Sequence, residues 1–492
     1  MTEGEKANGL LDALLRMPLE AIARAIRARK FSSLEVMEAH LQRIERLNPT
    51  LNAIVTLAPD ALDRARQADD ALARGAEVGQ LHGIPLTIKD TIETKGLRAT
   101  SGSALRAGYV PREDAPTVAR LKRAGAIIIG KTNVSEMAMA YDATNPVFGR
   151  TNNPHDPRRT PGGSSGGEAA SIAAGLSLAG LGSDLSGSVR VPAHFCGITG
   201  LKPTVGSVPG AGQCPPAIGP FSLGAVIGPM ARHVSDLATL FHVLSNTNAR
   251  VEAAASSDNS TNEQRMNLLR GWRAAWYADD GTSPVTQETR LAVLNAARAL
   301  EDAGLIIEER RPPGVERGPD LWSSLFSRAA LLQLRETYAG REAASGPIVR
   351  AIFKAAGADT PHALDQFINA WMERDRLRAA LVGWMDTTPL IIAPVGATHA
   401  FEHDARKLSI EGETVSVFRA FGYAQTFNVY DLPAVCVPAG RSRDGLPIGV
   451  QVVGRPFAEE SVLAAALIIE SALGGWQPPP PDALSREGHH PL

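Results

Sequence analysis

One run constrains this chain more than any other: PGGSSGGEAASIAAGLSLAGLGSDLSGSVRVPAHFCGITGLKPT, residues 161 to 204, where glycine, alanine and serine surround several hydroxyls instead of filling a core. Glycine lets a backbone approach a ligand closely and turn its N–H groups toward it. The alanine-rich segment Glu168 to Ala174 reads as helical, which argues against a flexible linker. Further on, Leu185-Ser186-Gly187-Ser188 reads as a turn whose successive amides form a nest for an oxyanion beside the Ser188 hydroxyl.

A hydroxyl nucleophile needs a base. No histidine is obviously placed for the task. Lys89, however, ends the apolar stretch IPLTIKD, where desolvation would depress its pKa and make it a neutral base near physiological pH. A second serine can bridge the two. Taken alone, Lys89 beside Asp90 reads as a solvated or ion-paired lysine, and GGSSGG as a turn; a phosphate loop is excluded because no Gly-Lys-Ser/Thr follows. The combination carries the chemistry.

From Pro18 to about Asp70 the apolar residues Leu34, Val36, Met37, Leu41, Ile44 and Leu47 fall at helical spacing, with Ser32 and Ser33 as caps. IPLTIKD and AIIIG read as buried strands alternating with helical stretches at Thr117 to Arg123 and Ser135 to Ala140, an α/β pattern. The second half adds a strand near Trp272 to Tyr277, an amphipathic helix from Gln287 to Ala303, and strands at LIIAPV and AVCVPAG. Polar Asn246 to Asn262 reads as an exposed connection, and the proline-rich end, about 477 to 492, as a disordered tail.

Composition narrows the partners. The 492 residues are 44% hydrophobic and 21% charged, ordinary for a globular protein. Lys+Arg number 50 against Asp+Glu 52, a net charge of -2, so no basic field exists to hold nucleic acid or anionic lipid. Cys196, Cys214 and Cys436 are odd in number and lack CxxC spacing, which suits a reducing compartment. The N-terminus lacks a basic region followed by an apolar run, and no apolar stretch reaches ~18 residues, so the expectation is a cytoplasmic protein without membrane contact.

From roughly Leu19 to Leu473 the chain resembles the amidase signature family, on HGIPLTIKD, KTNVSEMAMA, GGSSGGEAA, SDLSGSVRVPAHFCGITGLKP and FNVYDLPAVCVPAGRSRDGLPIGVQVVG. The resemblance is closer to stand-alone bacterial amidases. It implies a single large α/β domain over residues 1 to 492, with a mixed central β-sheet flanked by α-helices. Its parts would be an N-terminal helical layer at about 15 to 75, a signature core at about 80 to 205 and a variable substrate-pocket region at about 315 to 425. It also implies Lys89 as base, Ser164 as relay in cis peptide linkage and Ser188 as nucleophile, the two serines lying 24 positions apart as in the family. The oxyanion hole would be the backbone N–H groups of Leu185, Ser186, Gly187 and Ser188, and no cofactor or metal is required. The implied reaction is hydrolysis of a linear or cyclic C–N amide bond through an acyl-enzyme, with ester cleavage as a side activity.

Ser186 departs from the family pattern, which has glycine there; its side chain either crowds the pocket or adds a hydrogen bond, shifting the substrate range. Asp184 and Arg190 are expected to brace the loop. Substrate-binding candidates are Met137, Ser165, Cys214, Trp322 and Phe326, with Trp371, Phe418 and Phe421 as further aromatics. A homodimer is one assembly left open. Two motifs are decoys: Gly162 to Gly166 satisfies G-x-S-x-G, but polar, proline-broken NNPHDPRRTPGG precedes it instead of a strand, and His399 to His403 fits H-x-x-E-H without a helical context. His82, His194 and Cys196 read as packing residues. Alternatives are a glutamine-hydrolysing amidotransferase subunit, which the stretch after LKPT does not resemble, and a catalytically inactive binding protein.

Overall fold

In the computed structural model residues 3–245, 266–356 and 364–485 are described. The expected connection Asn246 to Asn262 lies outside the described residues. Eleven short strands form one sheet: β1 (Ile54–Leu57), β2 (Pro85–Lys89), β3 (Ile127–Thr132), β4 (Ala179–Asp184), β5 (Thr199–Lys202), β6 (Val226–Ala231), β7 (Arg273–Trp276), β8 (Ile306–Glu309), β9 (Leu390–Pro394), β10 (Ala434–Arg441) and β11 (Pro447–Val453). Across the sheet they run β1-β3-β2-β4-β6-β5-β10-β11-β9-β7-β8. The pairs β2/β3, β2/β4, β7/β8 and β7/β9 are parallel and the others antiparallel, so the sheet is mixed.

Successive strand side chains point to opposite faces, and this period sorts the core into two layers. Val435, Val437, Ile448, Val450, Val452, Leu390 and Ile392 face one layer, while Ala434, Cys436, Ile391 and Ala393 face the other. Helices cover both. The first layer is closed by α3 (Ser33–Leu51), α8 (Val234–Ser245), α9 (Gln287–Asp302) and α14 (Glu459–Leu473); the second by α6 (Gly166–Ala173), α7 (Arg190–Cys196) and α13 (Gly422–Val429). Among the described residues the remaining helices of at least eight residues are α1 (Glu3–Leu14), α2 (Leu19–Arg27), α4 (Ala61–Ala73), α5 (Pro116–Arg123), α10 (Arg328–Tyr338), α11 (Pro347–Ala356) and α12 (Leu364–Trp384). Among the described residues, no helix is long and apolar enough to cross a membrane.

The helical opening is present as α2, α3 and α4, but β1 interrupts it and pairs with β3. Ser32 starts α3 through a capping box: its hydroxyl accepts from Glu35 N at 3.0 Å while the Glu35 carboxylate accepts from Ser32 N at 2.7 Å. The stretch Ser135 to Ala140 is not the expected helix. Met137 donates its N–H to Ser101 O at 2.8 Å, and Met137 and Ala138 both take left-handed backbone angles, leaving only a 3-10 turn at Glu136–Ala138. The tail is also more ordered than expected, with a short helix at Pro481–Ser485 whose Leu484 packs on the first layer; residues 486–492 lie outside the described residues.

Close backbone approach at Gly228 of β6 sets a strict limit: a Cβ there would lie 2.1 Å from the Leu201 carbonyl oxygen of β5, an atom fixed in the sheet. Gly228→Ala is expected to destabilise by about 3 kcal/mol or more, whereas Ser32→Ala, at an exposed cap, costs about 1 kcal/mol. Urea denaturation of both variants checks the ranking, and equal midpoints would contradict it.

Candidate active site

Strands β2 and β4 are parallel neighbours, with Ile88 opposite Leu181, so their carboxyl ends open on the same edge of the sheet. Because side chains alternate, Leu86 and Ile88 enter the first core layer while Thr87 and Lys89 face α6. The turn before α6 brings Ser164 over Lys89, with the Nζ and Oγ atoms 2.6 Å apart. Beyond β4 the chain turns through Leu185 to Val189 into α7, carrying Ser188 to the same edge. The Gly163–Ser164 peptide bond is cis, as the family resemblance implies.

Lys89 is completely buried. Burial pushes its amine down to about 7, against the opposing pull of Asp184 and Glu168. Besides Ser164 it contacts Ser183 Oγ at 2.9 Å, a partner that nothing in the motif's spacing singles out although it lies in the same run. Neither carboxylate is in hydrogen-bond contact with it. Glu168 instead accepts from Thr87 Oγ1 and, at 2.7 Å, from Thr132 Oγ1, and burial raises its carboxyl to about 7. Ser188 faces the same cavity as Ser164, but its hydroxyl makes no hydrogen bond to Ser164 or to any other described residue.

Asp184 and Arg190 form the brace beneath the loop, both with fully buried side chains. Arg190 holds the carboxylate by two bonds, Nε to Oδ2 at 3.0 Å and Nη2 to Oδ1 at 3.1 Å, and also donates to Asn428 Oδ1 at 2.6 Å and Gln451 Oε1 at 2.7 Å. Burial acts to raise the Asp184 carboxyl, but the Arg190 charge prevails and holds it at about 2. Asp184 in turn accepts from the Gly187 N–H at 2.7 Å and the Val189 N–H at 3.2 Å. This corrects one expectation: the Gly187 N–H is engaged by Asp184 and is not a free oxyanion donor. Among the described residues the N–H groups of Leu185, Ser186 and Ser188 have no partner. Gly187 itself has φ +97°, and a Cβ there would meet Ala424 Cβ at 2.5 Å, so the turn requires glycine.

The carbonyls of the same loop are held by two aromatic side chains. Trp322 Nε1 donates to Leu185 O at 2.7 Å, and Tyr141 Oη donates to Ser186 O at 2.7 Å while accepting from Gln425 Nε2 at 3.0 Å. The sequence offered no signal for Tyr141 in this role, because a donor to a backbone carbonyl has no motif.

A cavity of about 120 Å³ opens over Ser164 and Ser188. Met137, Cys214, Trp322 and Phe418 line it, as does Ser186, so four of the expected pocket residues and the departing serine converge on it. The others do not. Ser165 is fully buried behind the wall, accepting from Ser183 N at 3.4 Å and donating its own N–H to Ser188 O at 3.2 Å. Phe326 is fully buried too, packed edge-on to Trp322 at 5.7 Å. Phe421 lies under Tyr141, and Trp371 packs on Phe367. Asp184 is the one charged side chain among the described residues lining the cavity.

The decoy motifs fall apart in space. His399 and His403 sit in a loop against the backbone carbonyls of Ala400 and Pro157, and no strand runs directly into Ser164. His194 bridges Thr398 O and Gly449 N, a packing role; Cys196 is fully buried.

The Amidase family model matches residues 35–463. Among curated relatives, a glutamyl-tRNA(Gln) amidotransferase subunit from Lachnospira eligens is 32% identical, covering 94% of this chain and 100% of its own. Fatty-acid amide hydrolase 2-A from Danio rerio is 31% identical over 96% of this chain and 91% of its own. Among solved structures, a 6-aminohexanoate cyclic dimer hydrolase complexed with substrate superposes with a TM-score of 0.78 at 28% identity, covering 93% of this chain and 97% of that one. These relatives include both hydrolases and an amidotransferase subunit. With its mixed sheet, its serine-lined cavity and a match spanning nearly its whole length, the chain belongs to the amidase family.

Proposed function

We propose that the chain hydrolyses uncharged amides through an acyl-enzyme on Ser188, with Ser164 as relay and Lys89 as base. The observation that carries this reading is a fully buried amine, held at about 7, lying 2.6 Å from the hydroxyl of a serine that shares a cavity with Ser188.

Ser188 Oγ attacks the amide carbonyl carbon, and its proton passes to Ser164 Oγ as the Ser164 proton moves to neutral Lys89 Nζ. The carbonyl π pair becomes an oxyanion held by the unpartnered loop N–H groups. When the intermediate collapses, the C–N bond breaks and the proton returns from Lys89 through Ser164 to the leaving nitrogen, releasing ammonia or an amine. Water then attacks the acyl carbon, giving up a proton through Ser164 to Lys89. As the second intermediate collapses, the bond from the acyl carbon to Ser188 Oγ breaks, the proton returns through Ser164 to Ser188 Oγ, and a carboxylic acid leaves.

The lining supports the substrate class. A free amino acid carries an ammonium and a carboxylate, and each loses solvation in a pocket that offers no counter-charge. Asp184, the one charged lining group, is already engaged by Arg190. Methionine, tryptophan, phenylalanine and proline suit an apolar acyl or aryl group instead. The relationship to an amidotransferase subunit keeps glutamine hydrolysis for a partner as a second reading.

Protonated Lys89 cannot accept a proton, so kcat/KM for a neutral amide is expected to fall about tenfold per pH unit below about 7. A profile flat from about pH 5 to 8 would remove Lys89 as base. For L-glutamine, an ammonia-release assay is expected to give a kcat/KM at least about 100-fold below that for an uncharged aryl or alkyl amide. Efficient glutamine hydrolysis would favour the amidotransferase reading.

A further inference from the structure

The nucleophile loop consists of trans peptides; among the described residues the cis bonds are Gly163–Ser164 and Cys214–Pro215. In a planar trans peptide the C=O and N–H point in opposite directions, so whatever holds a carbonyl also aims the next residue's N–H. Trp322 Nε1, donating to Leu185 O at 2.7 Å, fixes the plane that carries the Ser186 N–H. The following plane is held from both sides, by Tyr141 Oη on Ser186 O at 2.7 Å and by Asp184 Oδ1 on the Gly187 N–H at 2.7 Å. The next is held by α7, whose Val191 N donates to Gly187 O at 2.6 Å, and it carries the Ser188 N–H. Three successive planes are thus pinned, leaving the Ser186 and Ser188 N–H groups without partners on alternate planes.

We propose that Trp322 and Tyr141 are positioning residues of the oxyanion hole: their polar hydrogens set the orientation of the loop peptides that stabilise the transition state, Trp322 most directly through the Ser186 N–H. The inference rests on the reading of Ser188 as nucleophile. Both side chains also line the cavity, and Trp322 packs edge-on to Phe418 with ring centroids 5.0 Å apart. The wall that meets the acyl group is therefore the same object that orients the oxyanion donors. Tyr141 is itself oriented by Gln425 of α13, whose Nε2 donates to the Tyr141 hydroxyl.

The test separates the hydrogen bond from the ring. Trp322 is replaced by benzothienylalanine, which keeps the bicyclic shape but has no N–H, and Tyr141 by Phe. For each variant kcat and KM are measured with one neutral amide, alongside the affinity of a boronic acid that forms a tetrahedral adduct on a serine. Each variant is expected to lose about tenfold or more in kcat and in boronate affinity with KM changed less than about twofold, because the lost interaction acts in the transition state. The midpoint of the pH profile stays in place, since Lys89 is untouched. Unchanged kcat and boronate affinity, or a loss confined to KM, would overturn the proposal and leave the two residues as pocket wall. Boronate binding that survives Ser188→Ala in the otherwise unaltered enzyme would instead overturn the assignment of Ser188, and the proposal with it.

Discussion

The arrangement depends on keeping one amine buried and readily deprotonated near neutral pH. Lys89 loses all contact with solvent at the end of β2, and a buried ammonium without a paired anion is costly. Two carboxyl groups lie near enough to influence it, and either could have held it protonated. Asp184 is prevented from doing so because Arg190 takes its carboxylate by two bonds, with Asn428 and two backbone N–H groups completing the shell. Glu168 is turned to the hydroxyls of Thr87 and Thr132, and its own burial favours the neutral acid. What remains for Lys89 is neutral: two serine hydroxyls, at 2.6 and 2.9 Å, and the Ser183 carbonyl at 3.5 Å.

The same ion pair serves the loop above it. Asp184 closes β4 and accepts two N–H groups from the turn that follows, so the electrostatics around Lys89 and the geometry of the loop leading to Ser188 share one carboxylate. Breaking one partner of such a buried pair leaves an uncompensated charge, costing about 3–5 kcal/mol. The sheet contributes by placing β2 and β4 side by side and parallel, so that residues nearly a hundred positions apart meet without long connecting side chains. Parallel strands presenting their carboxyl ends to one crevice are a recurrent solution in α/β folds.

Much of this was legible in the sequence, and the limits have physical reasons. Alternation and apolar runs marked β2, β3, β9 and β10, and helical spacing marked α3 and α9, because burial imposes those periods directly. The glycine-rich run marked where the cavity forms. Ser135 to Ala140 misled because its composition suits a helix, while the Ser101 carbonyl, distant in sequence, draws the Met137 N–H into a turn. Ser165 and Phe326 lie close in sequence to Ser164 and Trp322, which do line the cavity, yet both side chains are turned into the core, because neighbouring residues face different ways. The Gly187 N–H had the right position for an oxyanion donor, yet Asp184 reaches it first. Tyr141 and Trp322 act through backbone carbonyls, and no residue type or spacing announces such a contact.

The central claim, that Ser188 is the nucleophile activated by Lys89, is tested most directly by a fluorophosphonate followed by peptide mapping, in the unaltered protein and in Lys89→Ala. A covalent adduct on Ser188 that forms far more slowly without Lys89 is the predicted result. An adduct on Ser164, or labelling of Ser188 at an unchanged rate in Lys89→Ala, would contradict it.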